Sequence, residues 1–345
     1  MKSNTSVRDF AVASLMLLSG TALAATLSTV IPPRAKPVAA KMSVMVEVGL
    51  KALTEVKAPM AEHAPETRKI SLVSSVAISP SGKRMWATWY CGITDGEDSN
   101  NYCVLATSVD HGESWKEVLV ADPDGRGPYR DFDPEVWVSP DGKLRWTWTE
   151  RETLVRSEDP KTRWPGCTKG SENDRLAMLT LDAESEPAAP YPRPRLVADG
   201  VMMCKPLVLK SGRWLFPSAH WLSENSAHVY ATDDCGRTFA ALGGVTLPKW
   251  VREYDEHNLV ELKDGRLRAY VRVLRDPCGC WTAESSDGGT TWSEPRPANF
   301  AHTNSRVFVR RLKSGNILLV KNGPLDRDVG RREMTAYLSG DEGAT

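Results

Sequence analysis

From about residue 70 onward the chain alternates apolar and polar positions in short runs, and the runs are joined by one recurring phrase. It reads Ser79-Pro-Ser-Gly82-Lys, Ser139-Pro-Asp-Gly142-Lys, Leu209-Lys-Ser-Gly212-Arg, Leu262-Lys-Asp-Gly265-Arg and Leu312-Lys-Ser-Gly315-Asn. Each phrase follows an alternating run and precedes a β-type run such as Met85-Trp-Ala-Thr-Trp-Tyr. Period-two alternation around a tight turn with Gly at its end is hairpin chemistry, because Gly adopts positive φ at no steric cost. The turn glycines lie 60, 70, 53 and 50 residues apart. Sheets repeating at some tens of residues predict propeller blades or a related array.

A second phrase runs in phase with the first. Ser108-Val-Asp110-His-Gly112-Glu-Ser114-Trp115 returns as Thr232-Asp-Asp234-Cys-Gly236-Arg-Thr238-Phe239 and as Ser285-Ser-Asp287-Gly-Gly289-Thr-Thr291-Trp292. It returns once more as Ser339-Gly-Asp341-Glu-Gly343-Ala-Thr345. This is the Asp box. The gap between the first two copies leaves room for one blade without a box. The Asp and Ser/Thr side chains are suited to hold turn amides and the aromatic to pack into the sheet, so the boxes read as structural. They lack the twelve-residue ligand ladder of a calcium loop.

Composition supports a turn-rich β protein: Gly and Pro number 25 and 23, and Trp (12) outnumbers Phe (6). Lys plus Arg equal Asp plus Glu at 44 each, which argues against a broad electrostatic grip on nucleic acid or an anionic membrane. Lys2, Arg8, the apolar stretch from Phe10 to Ala24, and Ala22-Leu23-Ala24 before Ala25 read as a cleaved export signal over 1–24. The expectation is a secreted or periplasmic chain without membrane insertion after cleavage, with 25–69 a linker or N-terminal segment and 70–345 the propeller. The seven cysteines are odd in number, and Cys278-Gly-Cys280 is too tight for a zinc knuckle. No metal or cofactor is expected. Whether Cys91 and Cys103 face each other across one hairpin stays open at this level.

With these phrases in place, the chain resembles the sialidase (neuraminidase) superfamily, and within it bacterial exo-α-sialidase-like proteins. The likeness covers about residue 70 to the end and rests on the Asp boxes together with Trp86-Ala-Thr-Trp-Tyr-Cys-Gly92, Asp131-Phe-Asp-Pro-Glu-Val-Trp137 and Asp199-Gly-Val-Met-Met-Cys-Lys-Pro206. Tyr254-Asp-Glu-His-Asn-Leu-Val-Glu-Leu262, His302-Thr-Asn-Ser-Arg306 and Arg332-Glu-Met-Thr-Ala-Tyr-Leu-Ser339 add to it. The resemblance implies an all-β, six-bladed propeller of sialidase type, incomplete here, with about five blades present and a truncation in blade five. It also implies retaining exo-cleavage of a terminal sialic acid or related acidic sugar from a glycan. A tyrosine nucleophile is paired with a Glu, an Asp acts as acid/base, and three arginines hold the substrate carboxylate. A neutral tyrosine suits a substrate whose anomeric carbon bears a carboxylate, which would repel an anionic nucleophile, and arginine forks meet carboxylates bidentately.

Transferred residue by residue, the resemblance makes Glu256 the nucleophile's partner and Arg272 and Arg332 two of the three arginines. Asp98 is the first candidate for acid/base and Asp95 the second. His257, Lys205, Arg306 and the Arg130/Asp133 pair are expected near the same strand ends, with hydrogen-bonded burial as their competing explanation. Two departures stand out. The strand Ser71-Leu-Val-Ser-Ser-Val-Ala77 lacks the Arg-Ile-Pro phrase that carries one triad arginine, and the family tyrosine falls past Thr345. Tyr254 is expected to pack rather than react. A non-catalytic glycan-binding propeller and a hydrolase for another acidic sugar are the competing functions.

Overall fold

A computed structural model describes residues 54–123, 129–152, 174–220, 227–274 and 278–344. The expected signal peptide, most of the expected linker and Cys167 lie outside them. The described residues all belong to one compact unit spanning Met42–Thr345. The turn chemistry yields antiparallel sheets, one per repeat, and these are the five blades of a propeller.

Blade one comprises β1 (Val56–Lys57), β2 (Ile70–Ile78), β3 (Met85–Gly92), β4 (Asn101–Ser108) and β5 (Lys116–Ala121), in the order β1-β5-β4-β3-β2. Blade two is β6 (Tyr129–Val138), β7 (Lys143–Glu152), β8 (Arg175–Asp182) and β9 (Arg195–Asp199). Blade three is β10 (Leu207–Val208), β11 (Trp214–Ala219), β12 (Ala227–Thr232) and β13 (Ala240–Val245), and blade four is β14 (His257–Glu261), β15 (Leu267–Arg272), β16 (Cys280–Ser285) and β17 (Arg296–Pro297). Blade five has three strands among the described residues, β18 (Phe308–Arg311), β19 (Ile317–Asn322) and β20 (Met334–Ser339). The segment before residue 70 is more than a linker. Its strand β1 extends the outer edge of blade one beside β5, and His63 is buried against the ring of Tyr102.

All five repeated turns close alike. The amides of Gly82, Gly142, Gly212, Gly265 and Gly315 donate to the carbonyls of Ser79, Ser139, Leu209, Leu262 and Leu312 at 2.8–3.0 Å. Their φ values lie between +74° and +89°, with open space where a Cβ would stand. The glycine requirement here is therefore one of backbone conformation and not of room.

The boxes are equally uniform. In box three Ser285 Oγ donates to Asp287 Oδ1 at 2.8 Å and receives the Gly289 amide at 2.9 Å. The Thr291 hydroxyl donates to Asp287 Oδ2 at 2.6 Å. In box two slight burial pushes Asp234 upward, but the Thr238 hydroxyl and amide and the Thr232 hydroxyl outweigh it and hold the carboxyl at about 2. Blade two has no box; a proline-rich connection joins β8 to β9, and its Glu184 bonds the turn of blade one through Ser81.

Four tryptophans lock blade to blade. Trp86 Nε1 donates to the Ala183 carbonyl and Trp146 Nε1 to Thr88 Oγ1, both at 2.8 Å, across blades one and two. Trp137 meets Trp214 and Phe216 edge to face across blades two and three. The first strands of neighbouring blades pack together (β2 with β6, β10 with β14, β14 with β18), so they line the axis. Cys91 and Cys103 sit on paired strands out of direct register, opposite Tyr102 and Tyr90, and both thiols are free.

Two glycine substitutions separate the effects of conformation and space. Gly265→Ala is expected to cost about 1 kcal/mol through its positive φ alone. Gly243→Ala, whose Cβ would come 2.2 Å from the Thr290 carbonyl oxygen of the next blade, is expected to cost about 3 kcal/mol. Urea denaturation checks both, and equal losses would contradict this account of the blade contact.

Candidate functional site

Counting back nine residues from each turn glycine reaches Val73, Asp133, Met203, Glu256 and Arg306, one position per blade on or just before the innermost strand. At three of these places the chain departs from regular strand geometry. Val73 and Asp133 have φ of 44° and 48°, and Asp255, beside Glu256, has 55°. The registers of β2 and β6 slip there, between Leu72 and Ser75 and between Phe132 and Glu135. Such bulges re-aim side chains next to functional sites.

The aimed groups meet. Glu256, 5 % exposed, accepts from Arg272 NH1 at 2.9 and 3.1 Å through its two carboxylate oxygens, and Arg306 Nε lies 3.9 Å from Oε2. Arg306 NH1 also donates to the Met203 carbonyl. Arg272 Nε donates to Asn304 Oδ1 at 2.7 Å, while its guanidinium lies over the Tyr254 ring, 4.3 Å from the centroid. Asn304 in turn donates to Glu253 and receives Arg331 at its carbonyl, at 2.9 and 3.2 Å.

Asp133 joins this set to a second one. Burial raises its pKa to about 7; Arg306 and Arg130 pull it down while Glu256 and Glu97 push it up. Behind it, Glu97 accepts from Tyr90 Oη at 2.7 Å and from Arg130 NH2 at 3.1 Å. A carboxyl that titrates near neutrality therefore stands between two groups of charged side chains, an arrangement suited to proton transfer or to binding an anion.

The other expected residues fall in different places. Asp98 is held by its own loop, accepting from Thr94 Oγ1 at 2.7 Å and from the Asn100 amide at 2.8 Å. Lys205 donates to the Val76 carbonyl of blade one, and burial lowers its pKa. His257 Nε2 lies 2.9 Å from the His228 carbonyl and Nδ1 3.3 Å from that of Asp255; burial lowers the ring to about 4, so it is a neutral bracket between blades three and four. Arg332 is exposed, with Nε donating to the Val329 carbonyl in its own loop. Its neighbour Arg331 reaches Asn304 beside Arg272. Arg331, Asn304, Glu253 and Glu97 escaped the sequence reading. The tandem Arg331-Arg332 was a visible signal, but a sequence cannot tell which of two adjacent arginines turns inward.

One group of possible metal ligands stands among the described residues, Glu62, His63 and Asp122. The Met60 amide donates to His63 Nδ1, so Nε2 carries the proton and donates to Asp122 at 2.9 Å; Lys57 completes the group 3.0 Å from Asp122.

Fold and boxes together define a sialidase-like propeller. The chain belongs to the family of the BNR repeat-like domain, whose model matches residues 136–345. Among solved structures it is similar to a protein of unknown function from Dyadobacter fermentans (18 % identity, TM-score 0.58, covering 79 % of this chain and 80 % of that one). It is similar also to the NanB sialidase of Streptococcus pneumoniae (15 %, TM-score 0.56, 79 % of this chain and 59 % of that one). A third is the intramolecular trans-sialidase of Ruminococcus gnavus (15 %, TM-score 0.55, 79 % and 80 %). The chain thus spans under two thirds of the NanB chain. No curated protein matches the sequence.

The raised pKa of Asp133 has a thermodynamic consequence. Its ordinary value is 3.8 and its folded value about 7, so between these the folded chain keeps a proton that the unfolded chain releases. Folding stability from this group is full below about pH 4 and is lost as pH rises towards 7, at up to about 1.4 kcal/mol per pH unit. Denaturant titrations at pH 5 and pH 8 should show a smaller difference in Asp133→Asn than in the parent. Equal differences would refute the assignment.

Proposed function

We propose that this propeller receives a terminal acidic sugar, a sialic acid or a relative of it, at the mouth where Glu256, Arg272, Arg306 and Asp133 meet, and serves its exo-cleavage with retention. The observation that carries the reading is the convergence of these side chains from blades two, four and five. Arg272, Arg306 and Arg331 outweigh Glu253 and Glu256 in charge once Asp133 is protonated, which favours an anionic ligand. Arg272 and Arg306 bind the carboxylate, with Arg332 the third arginine by resemblance. Glu256 is the base for a tyrosine phenol, whose unperturbed pKa near 10 requires one. For the proton that reaches the leaving oxygen, the geometry favours Asp133, which titrates near neutrality at the mouth, over Asp98, which its own loop engages. Lys205 and His257 support the strands around the mouth.

Ligand binding is the readout for the mouth, and hydrolysis of an aryl sialoside the readout for the reaction. Export to the periplasm or the medium, where glycans are met, accompanies this reading. No helix among the described residues is long and apolar enough to cross a membrane.

Calorimetry with the α-methyl glycoside of sialic acid and with its methyl ester tests the site. The free carboxylate should bind more tightly, more so at pH 6 than at pH 8, because deprotonated Asp133 repels it. Arg306→Ala, at a partly exposed residue, should weaken the acid about tenfold, roughly 1.4 kcal/mol, and leave the ester unchanged, with thermal denaturation confirming that the variant is folded. Equal affinity for acid and ester would remove the anionic-sugar reading. Binding of the acid without hydrolysis of the aryl sialoside would instead select the glycan-binding module.

A further inference from the structure

An exposed tryptophan stands near the mouth on a loop that is otherwise tightly held. Trp250 is 62 % exposed, the most of any tryptophan among the large exposed hydrophobic residues. It lies in the short 3-10 turn Lys249–Val251 that leads from blade three into blade four. The turn is fixed on both sides. The Val251 amide donates to the Pro248 carbonyl at 3.0 Å, and the Leu274 amide donates to the Val251 carbonyl at 2.8 Å. Arg252 Nε pairs with buried Asp255 at 2.9 Å. Val251 is itself fully buried.

The ring is held as well. Trp250 meets buried Trp281 edge to face, with centroids 5.7 Å apart and planes at 80°, and keeps most of its surface in water. Trp115, also exposed, differs: its Nε1 donates to Gly112 within an Asp box, so its exposure is a by-product of the turn. Nothing comparable in the fold accounts for Trp250.

Its neighbours say what it would meet. Exposed Lys249 and the half-buried Arg252 and Glu253 flank it along the chain, and Leu274, partly exposed, is tied to the adjacent Val251, so the indole is a small apolar plate beside charged residues. Tyr254, under the Arg272 guanidinium, is four residues on. The two Cα atoms are at most about 14 Å apart, a distance of two or three sugar rings. A pyranose has one face of C–H groups and a rim of hydroxyls, and stacking that face on indole buries apolar surface while the rim stays hydrated.

We infer that Trp250 is a stacking platform for a neutral hexose of the glycan chain that carries the acidic sugar, forming a second subsite beside the Glu256–Arg272 mouth. This rests on the glycan reading of the mouth. Because the loop is ordered in advance, little freedom is lost when the sugar docks.

The test uses lactose, 3′-sialyllactose and the α-methyl sialoside, with saturation-transfer NMR and calorimetry on the parent, Trp250→Ala and Trp250→Phe. Lactose ring protons should receive saturation in the parent and lose it in Trp250→Ala, with partial return in Trp250→Phe. Affinity for 3′-sialyllactose should fall about tenfold in Trp250→Ala while the methyl sialoside is unaffected. Absence of lactose binding in the parent, or equal lactose binding in Trp250→Ala, overturns the inference. If lactose binds through Trp250 but the methyl sialoside does not bind at all, the platform stands and the acidic-sugar reading of the mouth fails.

Discussion

The constraint on which the rest depends is the closure of five hairpins at a glycine with positive φ. Each closure sets where one inner strand meets the next, and a slip of one residue would turn every side chain on that strand to the opposite face. Because the closure is the same in every blade, the residue nine positions earlier falls on or just before the innermost strand each time, and in blades one and two it sits at a register slip. The repeat thus builds a ring of equivalent places, and the chemistry lies in what stands in them: apolar in blades one and three, carboxyl in two and four, guanidinium in five. Arg306 stands beside Glu256, and the charges of both act on Asp133, so three of these places meet.

Around that ring the structure offsets charge with charge. Glu256 is almost fully buried, and such a carboxylate is tolerable only with a partner; Arg272 supplies it through one nitrogen. The Arg272 guanidinium is held by Asn304 and by the Tyr254 ring, so its direction is fixed before any ligand arrives. Asp133 has no such close cation and retains a proton to about neutrality. Side chains that are preset and already desolvated need little rearrangement on meeting a charged ligand.

The Asp boxes and tryptophans perform the complementary task of holding the blades rigid. Each box ties its hairpin through a carboxylate shared among a hydroxyl and turn amides, and the indole and phenyl rings key neighbouring sheets together. Among the described residues, Glu256 makes its hydrogen bonds and ion pairs with Arg272 and Arg306, not with these residues. The division is physical: the box satisfies its carboxylate within its own turn, whereas the mouth gathers groups that no single turn could satisfy.

By itself the sequence determined the blades, because period-two alternation, a glycine turn and an Asp box are local features whose geometry depends on adjacent residues alone. Glu256 and Arg272 entered through the resemblance in separate roles, and the structure brings them together as an ion pair across one hairpin, with the Tyr254 ring under Arg272. What the sequence left undecided are contacts between blades. Asp98 and Glu97 are adjacent in the chain, yet only Glu97 meets Arg130; Arg331 and Arg332 are adjacent, yet only Arg331 meets Asn304; His257 follows Glu256, yet turns to the carbonyl of His228. Successive residues of an extended chain point in opposite directions, and which direction faces a partner is set by a strand some fifty residues away. The segment before residue 70 joined blade one for the same reason: Val56–Lys57 is too short to announce a strand, and only the open edge of β5 makes it one.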